Sequence, residues 1–561
     1  MKVVVIGGVT GGASAAARIR RLDEQAEIIM FEKGQHVSFS NCGLPYYLSG
    51  EIPSSEKLIL LDPEKFRKRY NIEARVNSEV LDIHRDRKTV SVKNLETGEI
   101  YEESYDKLVL SPGANPILPR SIEGTDLPHV FTIRNVSDIV RLKEYAMGHE
   151  GGVAVVGGGF IGVETAENLS LAGKKITLIE AAEQIMMPFD YDMVQILHKE
   201  AVDHGIRLIL GDGVSRILAD RVILSSGMEV KADMVVMAIG VAPETSLAVK
   251  AGLEIGETRG IRVNHNYQTS DPDIYAVGDA IEVYNRLTHR PSRLALAGPA
   301  QRQARAAASH MYGELHNNCG VIGSCALKLF DMNAAATGLN EKTAKAAGIP
   351  YDYVYVQQSD KVSIMPGSSP LHLKLIFETP TGRILGAQAI GKGNADKRID
   401  VIAAMITMGG TLEDLKELEL CYSPVFGTAK DAVNQAALAG LNILYGKIRQ
   451  VPVSGVRGLV ESGAYLIDVR EADEFEKGHV VNAVNIPLSE FRERIEQIPR
   501  DRPVYLYCRT SHRSYNACLA LMHSGHPEVY NISGSFQGLC LYEYYNDMAT
   551  GRQRIVTDYI F

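Results

Sequence analysis

A strand, a glycine-rich loop, a helix and a second strand that ends in an acid occur twice along the chain. The first copy runs from the apolar stretch at 2–6 through the loop at 7–12 to Glu32, and the second from 153–156 through the loop at 157–162 to Glu180. Glycines let backbone N–H groups approach a pyrophosphate, the helix N-terminus stabilises its charge, and the closing acid accepts hydrogen bonds from a ribose. The pattern predicts an α/β fold with two Rossmann-like dinucleotide-binding domains. The glycines concerned are Gly7, Gly8, Gly11, Gly12, Gly157, Gly159 and Gly162.

The two copies differ at the middle glycine position of the loop pattern. The second loop satisfies the full G-x-G-x-x-G spacing, whereas Val9 takes the middle position of the first. The acid of the second copy, Glu180, favours a free ribose 2′-hydroxyl and disfavours a 2′-phosphate. We therefore expect the second domain to prefer NADH over NADPH.

Composition narrows the class of protein. The chain has 561 residues, enough for several domains, and 45% of them are apolar. A net charge of −9 argues against nucleic acid as a main partner. Seven cysteines scattered through a long chain indicate a reducing compartment. A membrane-spanning apolar run and a signal peptide are both missing from the sequence, so we expect a cytoplasmic protein without a membrane partner.

Cys42, in the stretch SFSNCGLPYY, follows the first copy closely. Asn41 stands where a helix N-cap would, and a helix N-terminus favours a thiolate. Tyr46 and Tyr47 take the places where a dithiol enzyme would carry its resolving cysteine. A reactive Cys42 would therefore form a mixed disulfide, a persulfide or a sulfenate. The alternative is a buried structural cysteine.

The helix after the first loop begins with small residues at 13–17 and continues with arginines, among them Arg18 and Arg21. Small side chains leave room for a second ligand, and arginines bind phosphates. The alternative is that the alanines serve packing and the arginines form a solvated face.

The C-terminal part has its own pattern. Residues 325–445 predict an α+β packing domain, and the stretch around 447–454 a linker. Beyond it, the strand PVYLYC runs into Cys508, and Arg513 follows five residues later, before a helix. Such a loop cradles a thiolate or persulfide anion with backbone N–H groups. The remaining cysteines are expected to be structural and lack metal-ligand spacing, so no metal is predicted: Cys319, Cys325, Cys421, Cys518 and Cys540.

Several motifs together resemble one family. They are SFSNCGLPYY, the paired glycine loops, YAVGD, PGSSPLHLKL, CYSPVFGTAKD and CRTSHRS. The chain resembles the pyridine nucleotide–disulfide oxidoreductases of the coenzyme A disulfide reductase type, fused to a C-terminal rhodanese domain. The resemblance implies an FAD-binding domain at 1–112 and 246–322, an NAD-binding domain at 113–245, an α+β dimerisation domain at 323–446, a linker at 447–454 and an α/β rhodanese domain at 455–561.

The resemblance also implies site residues. Cys42 is the redox cysteine next to FAD, and Cys508 with Arg513 forms the sulfur-carrying loop. Tyr422 and Lys430 complete the site of a partner subunit, which implies a homodimer. FAD is held by Gly7, Gly8, Gly11, Gly12, Glu32, Lys33, Val80, Ser111, Gly113, Gly278, Asp279 and Ala297. NAD is held by Gly157, Gly159, Phe160, Ile161, Gly162, Glu180 and Gly240. Coenzyme A is held by Ser14, Arg18, Arg21, Ser38, Phe39, Asn41, Arg302 and Lys430.

Two positions depart from the family pattern. Ile364 and Met365 precede a Pro-Gly turn where the disulfide reductases carry paired tyrosines, which leaves Tyr422 alone to protonate a departing thiolate. Gln301 stands where related chains carry Asn or His, which leaves the phosphate contact of Arg302 open. Hydrosulfide needs little acid assistance to leave, so the first departure favours persulfide over disulfide reduction.

These features predict an FAD-dependent NADH:persulfide oxidoreductase that reduces coenzyme A persulfide, with the rhodanese domain relaying sulfane sulfur. Coenzyme A disulfide reductase is the alternative within the same class. An NADH oxidase or peroxidase would need a histidine beside the flavin, and the loop at 7–13 has none. A sulfane-sulfur sensor or carrier is the alternative of another class.

Overall fold

The computed structural model describes residues 1–316 and 318–561. They form two compact units, Met1–Ile185 with Ile206–Val321 and Met186–Gly205 with Ile322–Phe561. Among the described residues, every helix is too short or too polar to cross a membrane.

The elements up to residue 205 begin with the first glycine loop and include the second. In chain order they are β1 (Lys2–Ile6), α1 (Thr10–Leu22), β2 (Glu27–Phe31), α2 (Leu44–Ser49), α3 (Pro63–Tyr70), β3 (Glu73–Arg75), β4 (Ser78–His84), β5 (Thr89–Asn94), β6 (Ile100–Ser104), β7 (Lys107–Leu110), β8 (Ala114–Pro116), β9 (Val130–Phe131), α4 (Val136–Gly148), β10 (Val153–Val156), α5 (Phe160–Leu171), β11 (Ile176–Glu180) and α6 (Tyr191–Asp203).

The remaining elements continue the first unit and then build the second. They are β12 (Arg207–Leu210), β13 (Val214–Ile217), β14 (Arg221–Leu224), β15 (Glu229–Lys231), β16 (Met234–Met237), β17 (Val241–Pro243), α7 (Ser246–Lys250), β18 (Ile274–Ala276), β19 (Val283–Asn285), β20 (Arg290–Ser292), α8 (Ala297–Met311), β21 (Cys325–Leu329), β22 (Met332–Gly338), α9 (Glu341–Ala347), β23 (Tyr351–Ser359), β24 (Pro370–Glu378), β25 (Ile384–Gly391), α10 (Ala395–Met408), α11 (Leu412–Lys416), α12 (Ala432–Leu444), β26 (Gln450–Val451), α13 (Val453–Glu461), β27 (Tyr465–Asp468), α14 (Ala472–Lys477), β28 (Val484–Asn485), β29 (Val504–Tyr507), α15 (His512–His523), β30 (Val529–Ile532) and α16 (Ser535–Thr550).

Two parallel sheets follow the same plan in the first unit. The first sheet has the strand order β18-β7-β1-β2-β3, and the second sheet β12-β11-β10-β16-β9. In both, the strand before the glycine loop pairs with the strand that ends in the acid and, on its other side, with a strand from later in the chain. The central strands β10 and β16 are apolar along their whole length, and β1 and β7 are apolar after an initial lysine, because both faces of each sheet are covered. The predicted Rossmann-like architecture is confirmed.

The third sheet, in the second unit, is antiparallel with the order β21-β22-β25-β24-β23. Its central strand β25 is buried throughout, and α10 and α12 pack on it and its neighbours. A fully buried lysine, Lys374 on β24, contacts carboxylates of Asp190, Asp192 and Glu341 at 3.2, 2.8 and 2.5 Å. The oxygens of these carboxylates lie close enough together to bind one cation, and the Lys374 ammonium group is the cation that they contact.

The fourth sheet is parallel with the order β26-β30-β29-β27-β28, and it corrects the predicted linker. Gln450 and Val451 form β26 and pair with β30, and α13 begins at Val453. Half of the stretch 447–454 therefore belongs to this sheet and its first helix. The sequence analysis did not predict this two-residue edge strand because the residues around Val451 are polar. The other predicted domain boundaries stay predictions.

Candidate active site

The first glycine loop is shaped by backbone contacts that only glycine permits. Gly7 has a φ of +95°, and a Cβ on Gly12 would lie 1.8 Å from the carbonyl oxygen of Gly7. The second loop repeats this arrangement, with a φ of +111° at Gly157 and 1.9 Å between a Cβ on Gly162 and the Gly157 oxygen. Each loop therefore packs its helix start directly against the end of its strand, as a pyrophosphate cradle requires.

The middle loop position tolerates a side chain, which explains Val9. Val9 has a φ of −99°, a value open to any L-residue. At the matching position of the second loop, a Cβ on Gly159 would stand in open space among the described residues. The departure from the glycine pattern therefore leaves the first loop intact.

The two acids make the same contact in both copies. The Gly8 N–H donates to Glu32 Oε2 at 2.8 Å, and the Gly158 N–H donates to Glu180 Oε2 at 2.5 Å. The second oxygen of each carboxylate accepts another backbone N–H at 2.8 Å. Each acid is thereby fixed beside its loop, where a ribose would lie. The assignment of ribose binding to these acids stays a prediction.

Further residues gather at the carboxyl end of the first sheet. A Cβ on Gly11 would lie 2.5 Å from Ser111 Oγ, and one on Gly278 would lie 3.6 Å from the same atom. The Gly278 N–H donates to Gln303 Oε1 at 2.8 Å, and burial raises the pKa of the neighbouring Asp279 carboxyl. Ligands of open parallel sheets bind at this edge. The glycine cradle and the polar groups around it fit a flavin dinucleotide.

The other predicted nucleotide residues are dispersed more widely. Lys33 pairs with Glu79 at 2.8 Å, and Val80 on β4 is buried. Gly113 and Gly240 have positive φ values, whereas Ala297 begins α8. Phe160 and Ile161 begin α5, directly after the second loop.

The surroundings of Cys42 correct the predicted thiolate. Asn41 is the first residue of a 3₁₀ turn, Asn41–Gly43, and not the residue that caps it, and α2 begins only at Leu44. The Cys42 side chain is exposed, yet the protein atoms around its sulfur raise its pKa. The carboxylates of Glu164 and Asp279 raise it further, so the prediction that a helix end favours the thiolate is wrong.

Glu164 is a residue that the sequence analysis missed. It lies on α5, which packs against α2. Burial raises its pKa to about 7, the Glu167 carboxylate adds to this, and a hydrogen bond with Tyr46 opposes it. Burial and the same carboxylates raise the pKa of Tyr46 to about 12. Glu164 comes two residues after Gly162, and an acid so near a nucleotide loop was the available signal.

A cavity of about 350 Å³ lies beside α1 and α8. It is lined by four of the residues predicted to hold coenzyme A: Ser14, Arg18, Arg21 and Ser38. Ala13 and Ala17 leave the space open, as the run of small residues predicts. The Arg18 guanidinium donates to Ser309 Oγ at 3.0 Å and pairs with Glu314 at 3.2 Å. Several donors thus converge on a space wide enough for a phosphate-bearing ligand.

The helix α8 also contributes to the cavity, and coenzyme A binding by Arg302 stays a prediction. Gln301 and Arg305 line it, and Arg302 does not. Residues four apart on a helix share a face, so the spacing of Gln301 and Arg305 was the missed signal. Phe39 is buried outside the lining, and Asn41 is exposed.

Tyr422 and Lys430 belong to an exposed stretch of the second unit. Tyr422 and Phe426 are 51% and 61% exposed. The Lys430 carbonyl accepts hydrogen bonds from Gln358 Nε2 at 2.8 Å and Thr428 Oγ1 at 2.6 Å. An ordered loop with exposed aromatic side chains suits contact with another chain. Completion of a partner's site by these residues stays a prediction.

Cys508 is held in a loop between β29 and α15. Its sulfur is buried, with Ser514 Oγ at 3.7 Å and Ser535 Oγ at 3.9 Å. Arg513 pairs with Glu474 at 2.5 Å, and this carboxylate raises the Arg513 pKa. The sequence analysis missed Ser535 and Glu474, since both lie far from the loop in sequence.

Comparisons with known proteins agree with this geometry. The family model described as pyridine nucleotide-disulphide oxidoreductase matches residues 1–304, and its dimerisation domain matches residues 325–433. A rhodanese-like domain matches residues 454–541. A coenzyme A disulfide reductase of Staphylococcus epidermidis is 35% identical over 77% of this chain and 98% of its own length.

Two solved structures are similar to this chain over both of its units. The crystal structure of reduced Bacillus anthracis CoADR-RHD is 44% identical, with a TM-score of 0.93 over 97% of this chain and 98% of its own. The structure of an NAD-dependent persulfide reductase from A. fulgidus is 33% identical, with a TM-score of 0.91 over 96% and 99%. The chain therefore belongs to the pyridine nucleotide-disulphide oxidoreductase family, whose members depend on flavin and NAD(P)H, and carries a rhodanese-like domain at its C-terminal end.

Proposed function

We propose that this chain is an FAD-dependent, NADH-oxidising reductase of coenzyme A persulfide, and that its rhodanese-like domain relays sulfane sulfur. The observation that carries the proposal is Cys42, an exposed thiol that follows the first dinucleotide loop, and the helix after this loop borders an arginine-lined cavity. The names of the similar proteins support both coenzyme A and persulfide as substrates. Coenzyme A disulfide reduction remains the second candidate, favoured by the Staphylococcus relatives.

The chemistry divides between cofactors and chain. When bound, FAD and NADH supply hydride and electron transfer; the first glycine loop with Asp279 would hold FAD, and the second with Glu180 would hold NADH. The Cys42 thiolate attacks one sulfur of the persulfide, and the S–S bond breaks. Either hydrosulfide leaves and a mixed disulfide forms, or the coenzyme A thiolate leaves and a Cys42 persulfide forms.

The balance of the reaction requires a proton. NADH, one proton and RSSH give NAD⁺, RSH and H₂S. Burial and then the nearby carboxylates raise the pKa of Cys42, so a given thiolate fraction is reached only at a higher pH than for a free thiol. Arg18, Arg21 and Arg305 would hold the phosphates of coenzyme A in the cavity. Ile364 and Met365 cannot protonate a large thiolate leaving group, which favours hydrosulfide as the product.

The relay would begin at Cys508. Its thiolate attacks the outer sulfur of a sulfane donor, the donor's S–S bond breaks, and a Cys508 persulfide forms. A coenzyme A thiolate then takes the outer sulfur and becomes the persulfide that Cys42 reduces. The dimerisation domain and the exposed stretch with Tyr422 support a homodimer in which Tyr422 and Lys430 serve the partner's site.

The first test is anaerobic steady-state NADH oxidation with coenzyme A persulfide and coenzyme A disulfide in parallel, with an assay of hydrosulfide. We expect higher kcat/KM with the persulfide, one hydrosulfide per NADH, and lower turnover with NADPH. Equal or faster turnover of the disulfide would make disulfide reduction the main activity. Binding of persulfide without NADH consumption would instead support a sensor or carrier. Rapid NADH oxidation in a parallel aerobic assay without either substrate would support an oxidase.

Matched variants divide the two roles. Cys42→Ser should abolish persulfide reduction and leave sulfur transfer from thiosulfate in place. Cys508→Ser should abolish sulfur transfer from thiosulfate and leave the reduction of coenzyme A persulfide in place. It should lower NADH turnover only with sulfur donors that need the relay. Full persulfide reduction by Cys42→Ser would contradict the proposal.

A further inference from the structure

The first turn of α16 holds the loop that carries Cys508. The Cys508 N–H donates to Ser535 Oγ at 2.9 Å, and the Phe536 N–H donates to the Cys508 carbonyl at 3.0 Å. The Gln537 N–H donates to the Arg509 carbonyl at 3.2 Å. Three hydrogen bonds therefore make the position of the sulfur depend on the place of this turn.

The turn is in contact with the third sheet. Gln357 on β23 donates from Nε2 to the carbonyl of Gly534, the residue before α16, at 2.9 Å. A Cβ on Gly534 would lie 2.8 Å from the Tyr355 ring, and one on Gly538 would lie 3.1 Å from Gln357 Nε2. Gly534 also has a φ of +80°, so glycine is needed here for backbone and for space.

The β23 side of this contact is buried and hydrogen-bonded. Tyr355 and Gln357 are two residues apart on a strand, so their side chains lie on the same face. The Tyr355 hydroxyl is 2.7 Å from His372 Nδ1, and both side chains are buried. Gln450, in the edge strand of the fourth sheet, donates to the Tyr353 carbonyl at 2.8 Å. The strand that carries the donor Gln357 is therefore joined by hydrogen bonds to a neighbouring strand and to the fourth sheet.

We propose that Gln357 is a positioning residue for the Cys508 loop, so that the sulfur-transfer site is completed by the dimerisation sheet. Its amide fixes Gly534, Gly534 places Ser535, and Ser535 orients the Cys508 backbone and sulfur. The inference rests on the proposed role of Cys508 as a sulfur carrier. It extends that role by making a residue outside the rhodanese-like domain part of the domain's active geometry.

Thiosulfate and cyanide test the transfer step with full-length holoenzyme. The Cys508 thiolate attacks the outer sulfur of thiosulfate, the S–S bond breaks, and sulfite leaves with the electron pair. Cyanide then attacks the outer sulfur of the Cys508 persulfide, thiocyanate forms, and the thiolate returns. The rate of Cys508 alkylation by iodoacetamide, followed by peptide mass spectrometry, reports loop geometry independently of transfer.

Gln357→Leu should lower kcat/KM for thiosulfate about tenfold, the effect of losing one well-placed hydrogen bond. The loosened loop should expose the buried sulfur and speed its alkylation severalfold. Tyr191→Phe is the matched control, because it removes a 3.0 Å hydrogen bond to Asn546 farther along α16. This variant should keep the wild-type transfer and alkylation rates, and both variants should keep NADH-dependent reduction of coenzyme A persulfide.

Gln357→Glu separates positioning from general loosening. A carboxylic acid can donate to the Gly534 carbonyl, whereas a carboxylate cannot. The ratio of variant to wild-type transfer rate should therefore rise as the pH falls. A flat ratio, or a Gln357→Leu enzyme with wild-type transfer and alkylation rates, would overturn the inference. A wild-type enzyme inactive with thiosulfate would instead contradict the proposed relay, and the alkylation rates would still decide the role of Gln357.

Discussion

The hydroxyl of Tyr46 hydrogen-bonds to the carboxyl of Glu164 beside Cys42. This pair joins α2, which follows the cysteine, to α5, which follows the second glycine loop. The pKa of Glu164 is raised to about 7, so its charge changes within the physiological range. The same carboxylate raises the pKa of Cys42, so the two ionisations are linked.

Glu164→Gln should make Cys42 more reactive above pH 7. Above that pH the wild-type carboxylate is charged and opposes the thiolate, and the amide removes this charge. The expected result is alkylation of Cys42 about two- to tenfold faster at pH 8, with little change at pH 6. Iodoacetamide labelling across pH 5.5–9, resolved by peptide mass spectrometry, measures it.

Tyr46→Phe tests the same link while the Glu164 carboxyl group stays in place. The hydrogen bond from Tyr46 lowers the Glu164 pKa, so its loss should raise that pKa and move the Glu164-dependent inflection of the labelling profile to higher pH. Identical profiles for wild type and both variants would show that Glu164 and Cys42 ionise independently.

Gly162→Ala should abolish NADH binding while FAD remains bound. An added methyl group would lie 1.9 Å from the Gly157 oxygen, so the second loop must open, whereas the first loop is untouched. Gly12→Ala, with a clash of 1.8 Å in the first loop, should instead lose the flavin. Flavin absorbance of the purified proteins and NADH titration measure the two effects. Gly148→Ala places its methyl group in open space among the described residues and is the control.

The fold was largely predictable because its signals are local. Each glycine loop comes with its strand, helix and acid in one continuous stretch, and the all-apolar strands mark sheets covered on both faces. The edge strand Gln450–Val451 escaped prediction because its two residues lack a pattern of their own. Its pairing partner is β30, about eighty residues later.

The residues of the site were predictable only where they come from one continuous segment of the sequence. Ser14, Arg18 and Arg21 share one helix, and they do line one cavity. The sites also contain residues from distant segments, namely Arg305, Glu164 and Ser535. The spacing of residues in the sequence does not predict such contacts. The Cys42 environment was mispredicted for the same reason, since burial raises its pKa first and the carboxylates that raise it further come from α5 and from Asp279.

Lys374→Met should destabilise the second unit strongly. The ammonium is fully buried among three carboxylates, and its loss leaves their negative charges unbalanced. Removing one member of a buried charge cluster costs about 3–5 kcal/mol. Urea unfolding followed by circular dichroism should show the change. Lys392→Met removes the exposed pair with Asp331 and should leave the midpoint unchanged.

The stability of the second unit should fall as the pH drops below 6.5, because of His372. Burial lowers the pKa of His372 to about 4, and an unfolded histidine has a pKa of about 6.5. Below pH 6.5 the His372 side chain binds a proton in the unfolded chain but stays neutral in the folded chain. The stabilisation present at neutral pH is therefore lost progressively from pH 6.5 down to about pH 4, by about 3 kcal/mol. His198, whose pKa burial lowers to about 3, adds to the same slope.

His372→Gln should flatten the dependence of the urea midpoint on pH between 7 and 4.5, whereas His523→Gln, at an exposed position, should keep the wild-type slope. A wild-type slope in His372→Gln would show that other groups cause the acid sensitivity.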